Sequence, residues 1–103
     1  MVNRFEGAEV EVTGPPEVPR VRVSGELDLA GADAVRVALD EAIGDEAERV
    51  ELDLGDLAFL DSSGLSVFIE LAVRVPVSTV SASDAVRRVV TVTGVDEVLG
   101  LAP

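Results

Sequence analysis

Leu57-Ala58-Phe59-Leu60-Asp61-Ser62-Ser63-Gly64-Leu65 is the stretch that decides how this chain is read. It follows a strand pattern, Val50-Glu51-Leu52-Asp53-Leu54, in which apolar and acidic residues alternate. It opens the most apolar helical run in the sequence, expected from Ser63 to Val75 with Leu65, Val67, Phe68, Ile69, Leu71 and Ala72 apolar almost all round. At the junction stand a carboxylate, two hydroxyls and a glycine. A helix start carries unpaired N–H groups and a partial positive charge, so a phosphate placed there is stabilised. Gly64 is expected to leave the backbone open to the close approach of another protein. Asp61 is a candidate to orient a serine hydroxyl or to serve a partner's Mg²⁺ site. The same residues also suit a plain helix start, with one serine as the N-cap, Asp61 as a turn residue and Gly64 incidental.

Working outward, Glu9 to Thr13 alternates as a short half-buried strand, and Gly14-Pro15-Pro16 is a turn. Arg20 to Ser24 alternates again, and the two strands are expected to pair as an antiparallel hairpin. Pro19 confines the start of the second to an edge position or its first residue. Gly25-Glu26-Leu27-Asp28 is expected to leave the sheet. From Ala32 the period becomes helical, with Val35, Ala38, Leu39, Ala42 and Ile43 on one face and Gly44 suited to a C-terminal cap. Arg49 to Leu54 is the next strand. Glu70 and Arg74 are spaced for a pair within one helix. Pro76 stops that helix. Val77 to Ser81 is a short strand, and Ser83 caps a helix from Asp84 to Thr93, with Val86, Val89, Val90 and Thr93 inward and Gly94-Val95 at its end. The tail from Asp96 to Pro103 has room for one more turn or strand. The order β-β-α-β-α-β-α implies crossover units. One α/β domain over residues 1–103 is expected, with a mixed four- or five-stranded sheet covered by about three to four helices.

Composition removes most chemistries. The chain of 103 residues carries a net charge of -12, with 20 acidic residues against 8 basic ones, all Arg. Such a chain repels phosphate backbones and anionic lipid, and with aromatic residues at 3% it lacks stacking platforms. Nucleic-acid binding is not expected. With no Cys and no His, disulfides, zinc fingers and Cys or His nucleophiles are excluded. Without His or Lys, Ser62 has no usual base, and the Gly-x-Ser-x-Gly frame of a hydrolase elbow is missing. A phosphate loop ending in Gly-Lys is impossible for the same reason. No enzyme activity, metal or cofactor is expected. Met1 to Val10 holds no apolar run and does not read as a signal peptide, and no stretch is long enough to span a membrane. A cytoplasmic monomer is expected.

The residues also match a known pattern. Val50 to Leu54 followed by Phe59 to Leu65 resembles the signature of STAS domains, and more narrowly that of bacterial anti-sigma factor antagonists. Gly25-Glu26-Leu27-Asp28 resembles that family's second motif. Ala85-Val86-Arg87-Arg88-Val89 with Thr93-Gly94-Val95 resembles its third. The resemblance runs from about the first strand to Leu101. It implies that Ser62 is a phosphorylation target, and that the kinase is an anti-sigma factor with an ATP-binding domain. It implies that the unphosphorylated chain binds that factor and frees a sigma factor, that phosphorylation ends binding, and that a phosphatase restores it. Carried onto this chain, it places Asp28, Asp61, Ser63, Gly64 and Leu65 in partner binding. Asp28 reads equally well as the N-cap of the first helix. Two departures stand out: Arg74-Val75-Pro76-Val77 leaves almost no connection between helix and strand, where a shorter helix or a different strand entry is expected, and the C-terminus stops early. Rival readings are a non-switching STAS subunit of a membrane transporter and a nucleotide-binding sensor module.

Overall fold

The computed structural model describes residues 2–101. Nine elements follow in order: β1 (Val2–Phe5), β2 (Ala8–Thr13), β3 (Arg20–Leu27), α1 (Leu29–Ala42), β4 (Val50–Leu54), β5 (Leu57–Leu60), α2 (Ser62–Arg74), β6 (Val77–Ala82) and α3 (Asp84–Thr93). The six strands form one mixed sheet in the order β1-β2-β3-β4-β6, with β5 on β3. The expected hairpin is β2 on β3, with Val10 facing Val23 and Val12 facing Val21. The crossovers place β4, β5 and β6 parallel to their neighbours.

Two strands beyond the expected set complete the sheet. β1 is four residues of half-exposed edge, too short and too polar to give a period. β5 was hidden for another reason: its burial runs buried, exposed, exposed, buried, so strict alternation fails. β4 and β5 lie end to end along one edge of β3, with Val21 facing Leu52 and then Leu27 facing Leu60. Gly25-Glu26-Leu27 therefore does not leave the sheet. Gly25 takes φ +89° at a register shift, a bulge that lets β3 continue to Leu27. A Cβ on Gly25 would stand 2.3 Å from the Gly7 carbonyl oxygen, so only glycine fits where the first turn crosses β3.

Alternation sends Val10, Val21, Val23, Val50, Leu52 and Leu54 into the core, with charged residues opposite. Phe68 of α2 is the largest fully buried side chain. α2 is not buried all round, since Val73 is 83% exposed. α1 begins at Leu29, capped by Asp28, and ends in an extended Ile43 rather than a left-handed Gly44. Glu70 and Arg74 do not pair with each other. Arg36 donates from Nε to Glu70 Oε2 at 2.6 Å, and Arg74 donates to Asp40 Oδ1 and the Ile43 carbonyl, each at 2.8 Å. The two helices thus lock to each other, and the Glu70 hydrogen bond is the chief cause holding the Arg36 guanidinium above its ordinary pKa. α2 keeps its full length to Arg74, since an extended, buried Val75 and then Pro76 lead straight into β6.

Val86 and Val90 of α3 are buried as expected, but Thr93 is exposed and its hydroxyl donates to the Val89 carbonyl. Ser83 caps α3, and Gly94 ends it in the left-handed region. The tail forms a turn that seats Leu99 and Leu101 in the core, where Thr79 donates to the Leu99 carbonyl from both N and Oγ1. Ala102 and Pro103 lie outside the described residues. Phe68→Ala should lower unfolding free energy by about 3–5 kcal/mol in a urea titration, through lost transfer energy and the cavity left behind.

Candidate functional site

β3 and β5 end side by side, and each is followed by an aspartate and a helix. Asp28 caps α1, its Oδ1 accepting from Ala30 N at 3.0 Å. Asp61 caps α2, its Oδ1 accepting from Gly64 N at 2.9 Å. Asp61 N donates to the Leu27 carbonyl at 3.3 Å, which carries the β3–β5 pairing one step past Leu60. Asp28 is therefore the helix cap that the sequence allowed, at the end of the strand that adjoins β5.

The cap of α2 is Asp61 and not a serine. Ser62 and Ser63 are its first and second helical residues, whose N–H groups have no intrahelical acceptor. Ser62 is exposed, and its hydroxyl has no hydrogen-bond partner among the described residues. Its carbonyl accepts from Ser66 Oγ at 2.9 Å. Ser63 is half-buried. Asp61 does not hold the Ser62 hydroxyl. One carboxylate oxygen is committed to Gly64 N, so this acid shapes the turn rather than activating the serine.

Gly64 is buried, and this alters its expected role. A Cβ there would lie 2.6 Å from the Leu27 carbonyl oxygen and 2.7 Å from Leu60 Cδ1. The close approach it allows is made by the chain to itself, as the first turn of α2 is pressed against the end of β3. Leu65, 4% exposed, is part of the core. Neither residue has a face to offer a partner. Both hold Ser62 outward. The pairing of Leu27 with Leu60 escaped the sequence reading, although Leu-Asp stands immediately before both α1 and α2 and marks the matching strand ends.

Among the described residues no group of acidic side chains is arranged to hold a metal ion. The recess between α1 and α2, about 150 Å³, is lined by Arg36, Leu39, Asp40, Val67, Glu70, Leu71 and Arg74 and does not include the serine turn. The turn is a surface on which Ser62 is exposed and Ser63 half-buried, neither hydroxyl hydrogen-bonded among the described residues.

The family model described as "Mlab, STAS domain" matches residues 10–101, so the chain belongs to the STAS-domain family. A curated relative, the anti-sigma F factor antagonist of Paenibacillus polymyxa, is 50% identical over 50 residues. That match covers 48% of this chain and 43% of the relative, less than half the length of either. Among solved structures, an anti-sigma factor antagonist from Mycobacterium paratuberculosis superposes with a TM-score of 0.82 at 28% identity, covering 93% of this chain and 86% of that one. The antagonist SpoIIAA in its unphosphorylated form gives 0.69 at 22% identity over 91% of this chain and 99% of that one, a likeness of fold.

Asp61→Ala should cost about 0.5–2 kcal/mol in thermal or chemical unfolding through loss of the α2 cap. Gly64→Ala should cost about 1–3 kcal/mol, since the methyl meets backbone that cannot swing aside.

Proposed function

We propose that this chain is an anti-sigma factor antagonist switched by phosphorylation of Ser62. The observation that carries the reading is the exposed, unbonded Ser62 hydroxyl, held outward by a cap and a glycine committed to the protein interior. In this reading the unphosphorylated chain binds an anti-sigma factor that has serine-kinase activity, and a sigma factor is released. The kinase transfers the γ-phosphoryl group of ATP to Ser62 Oγ. The bond from Oγ to phosphorus forms, the bond to the β-phosphate oxygen breaks, ADP leaves, and the hydroxyl proton passes to the kinase or solvent. A phosphatase later hydrolyses the ester and returns the hydroxyl with inorganic phosphate. The chain is the substrate and the binding partner in this cycle, working in the cytoplasm, and supplies no catalytic group.

Electrostatics supports the direction of the switch. A phosphoserine adds about -1.5 to -2 charges at neutral pH. It would do so next to Asp61, with Asp28 and the exposed Glu26 at the end of the adjoining strand, on a chain already at -12. A partner surface matched to a neutral hydroxyl among those acids would have to desolvate a dianion to stay bound. The free N–H groups of Ser62 and Ser63 stabilise the phosphate on the chain itself, which further favours the released state.

Incubation with the source organism's anti-sigma kinases and ATP should place one phosphate on Ser62, seen by mass spectrometry, and Ser62→Ala should take none. Ser62→Asp should weaken binding to the same kinase by about tenfold or more, an effect of 1.4 kcal/mol or above. An unchanged dissociation constant contradicts the switch. Absence of transfer from every such kinase, with co-purification of a membrane transporter subunit instead, points to the accessory-subunit reading.

A further inference from the structure

The pairing that brings the end of β3 level with the end of β5 gives Leu29 and Ser62 the same place: each opens a helix directly after a capping aspartate. Leu27 faces Leu60 across the parallel β3–β5 pair, and neighbouring strands lie about 4.8 Å apart. One step on stand the two caps, and a second step on stand the first helical residues, Leu29 of α1 and Ser62 of α2. The helices keep this alignment. Arg36 reaches Glu70, and Arg74 reaches Asp40, each pair 34 residues apart in the chain.

Leu29 is 76% exposed. It adds little to the core, and its position tolerates almost any residue, since the cap before it supplies the bond that starts the helix. The large apolar side chain there follows the exposed Glu26 and the capping Asp28, and Asp61 caps the neighbouring helix, so it stands among acidic residues. Phe59 of β5, paired with Glu26, is the other exposed large apolar side chain at these two strand ends, at 47%. Solitary surface leucines are ordinary. This one is set apart by its place: it opens α1 as the exposed Ser62 opens α2, after two strand ends that pair.

We infer that Leu29 is the apolar anchor by which the anti-sigma kinase docks, entering an apolar recess of the partner flanked by basic residues. The inference rests on the reading of Ser62 as the kinase's target and adds what the partner grips. Charge chooses the rim: three carboxylates favour Arg or Lys around the recess, which steer approach and set orientation. The leucine supplies the contact that loses water on binding, the kind of central residue on which an interface depends. Because Leu29 and Ser62 belong to different helices pinned at one register, the anchor fixes the hydroxyl relative to the kinase's phosphate donor. Phosphorylation then acts beside the anchor, where a new charge opposes burial of the leucine.

The test uses the full chain and the kinase that labels Ser62. Leu29→Ser should raise the dissociation constant by about tenfold or more and lower kcat/KM for phosphate transfer in step, while Leu29→Met restores both. Val73→Ser removes an equally exposed apolar side chain about 16 Å away along α2 and should leave binding within about twofold. Melting temperatures of the Leu29 variants should match the parent, which separates a docking role from a structural one. Binding unchanged in Leu29→Ser, while Ser62→Asp still weakens it, overturns the anchor and leaves the switch standing. Equal weakening in Leu29→Ser and Val73→Ser also overturns it, as a general surface effect. A parent chain that neither binds nor accepts phosphate removes both readings together.

Discussion

The junction where Asp61 N donates to the Leu27 carbonyl, with Gly64 pressed against the same oxygen, is the constraint on which the site depends. It joins the end of β3 to the start of α2 without an intervening side chain. Because that contact leaves no space, α2 can start at only one height and one rotation relative to the sheet. Leu65 and Phe68 then fall into the core, and Ser62 falls outside it. The exposure of one hydroxyl is thus a consequence of what its neighbours bury.

The bulge at Gly25 serves the same end. Without it β3 would stop where its alternation with β4 stops, and the end of β5 would have no partner. The continued strand brings Leu27 level with Leu60, so that two strand ends, two caps and two helices emerge as a pair. The cross-helix bonds from Arg36 and Arg74 extend that pairing over the length of α1 and α2. Such exposed ion pairs are individually weak. Their value here is in holding register rather than in adding stability.

An acidic chain with a free serine and no residue to activate it is suited to being acted upon. The family to which it belongs and the fold it shares with known antagonists agree with that character. The site is small because little is needed. In the proposed switch one hydroxyl carries the chemical change, and the added phosphate becomes a charge a partner must accommodate.

Much of this was legible from residues alone. The alternation in Val50–Leu54, the helical period after Asp61, the cap at Ser83 and the missing His, Cys and Lys each rest on local spacing or on bare composition, and neither needs the fold. What stayed hidden was whatever depended on a distant partner. β5 has no period of its own and exists because β3 offers it an edge. Glu70 and Arg74 fit each other along one helix, yet each found a better-placed charge on α1 once the helices packed. Gly64 looked open because a sequence cannot show that Leu27 lies against it. The sequence by itself determined where the serines, the acids and the caps stand and which chemistries lack their residues. Only the tertiary structure decided which side of each faces outward, because that is set by contacts between segments some thirty residues apart.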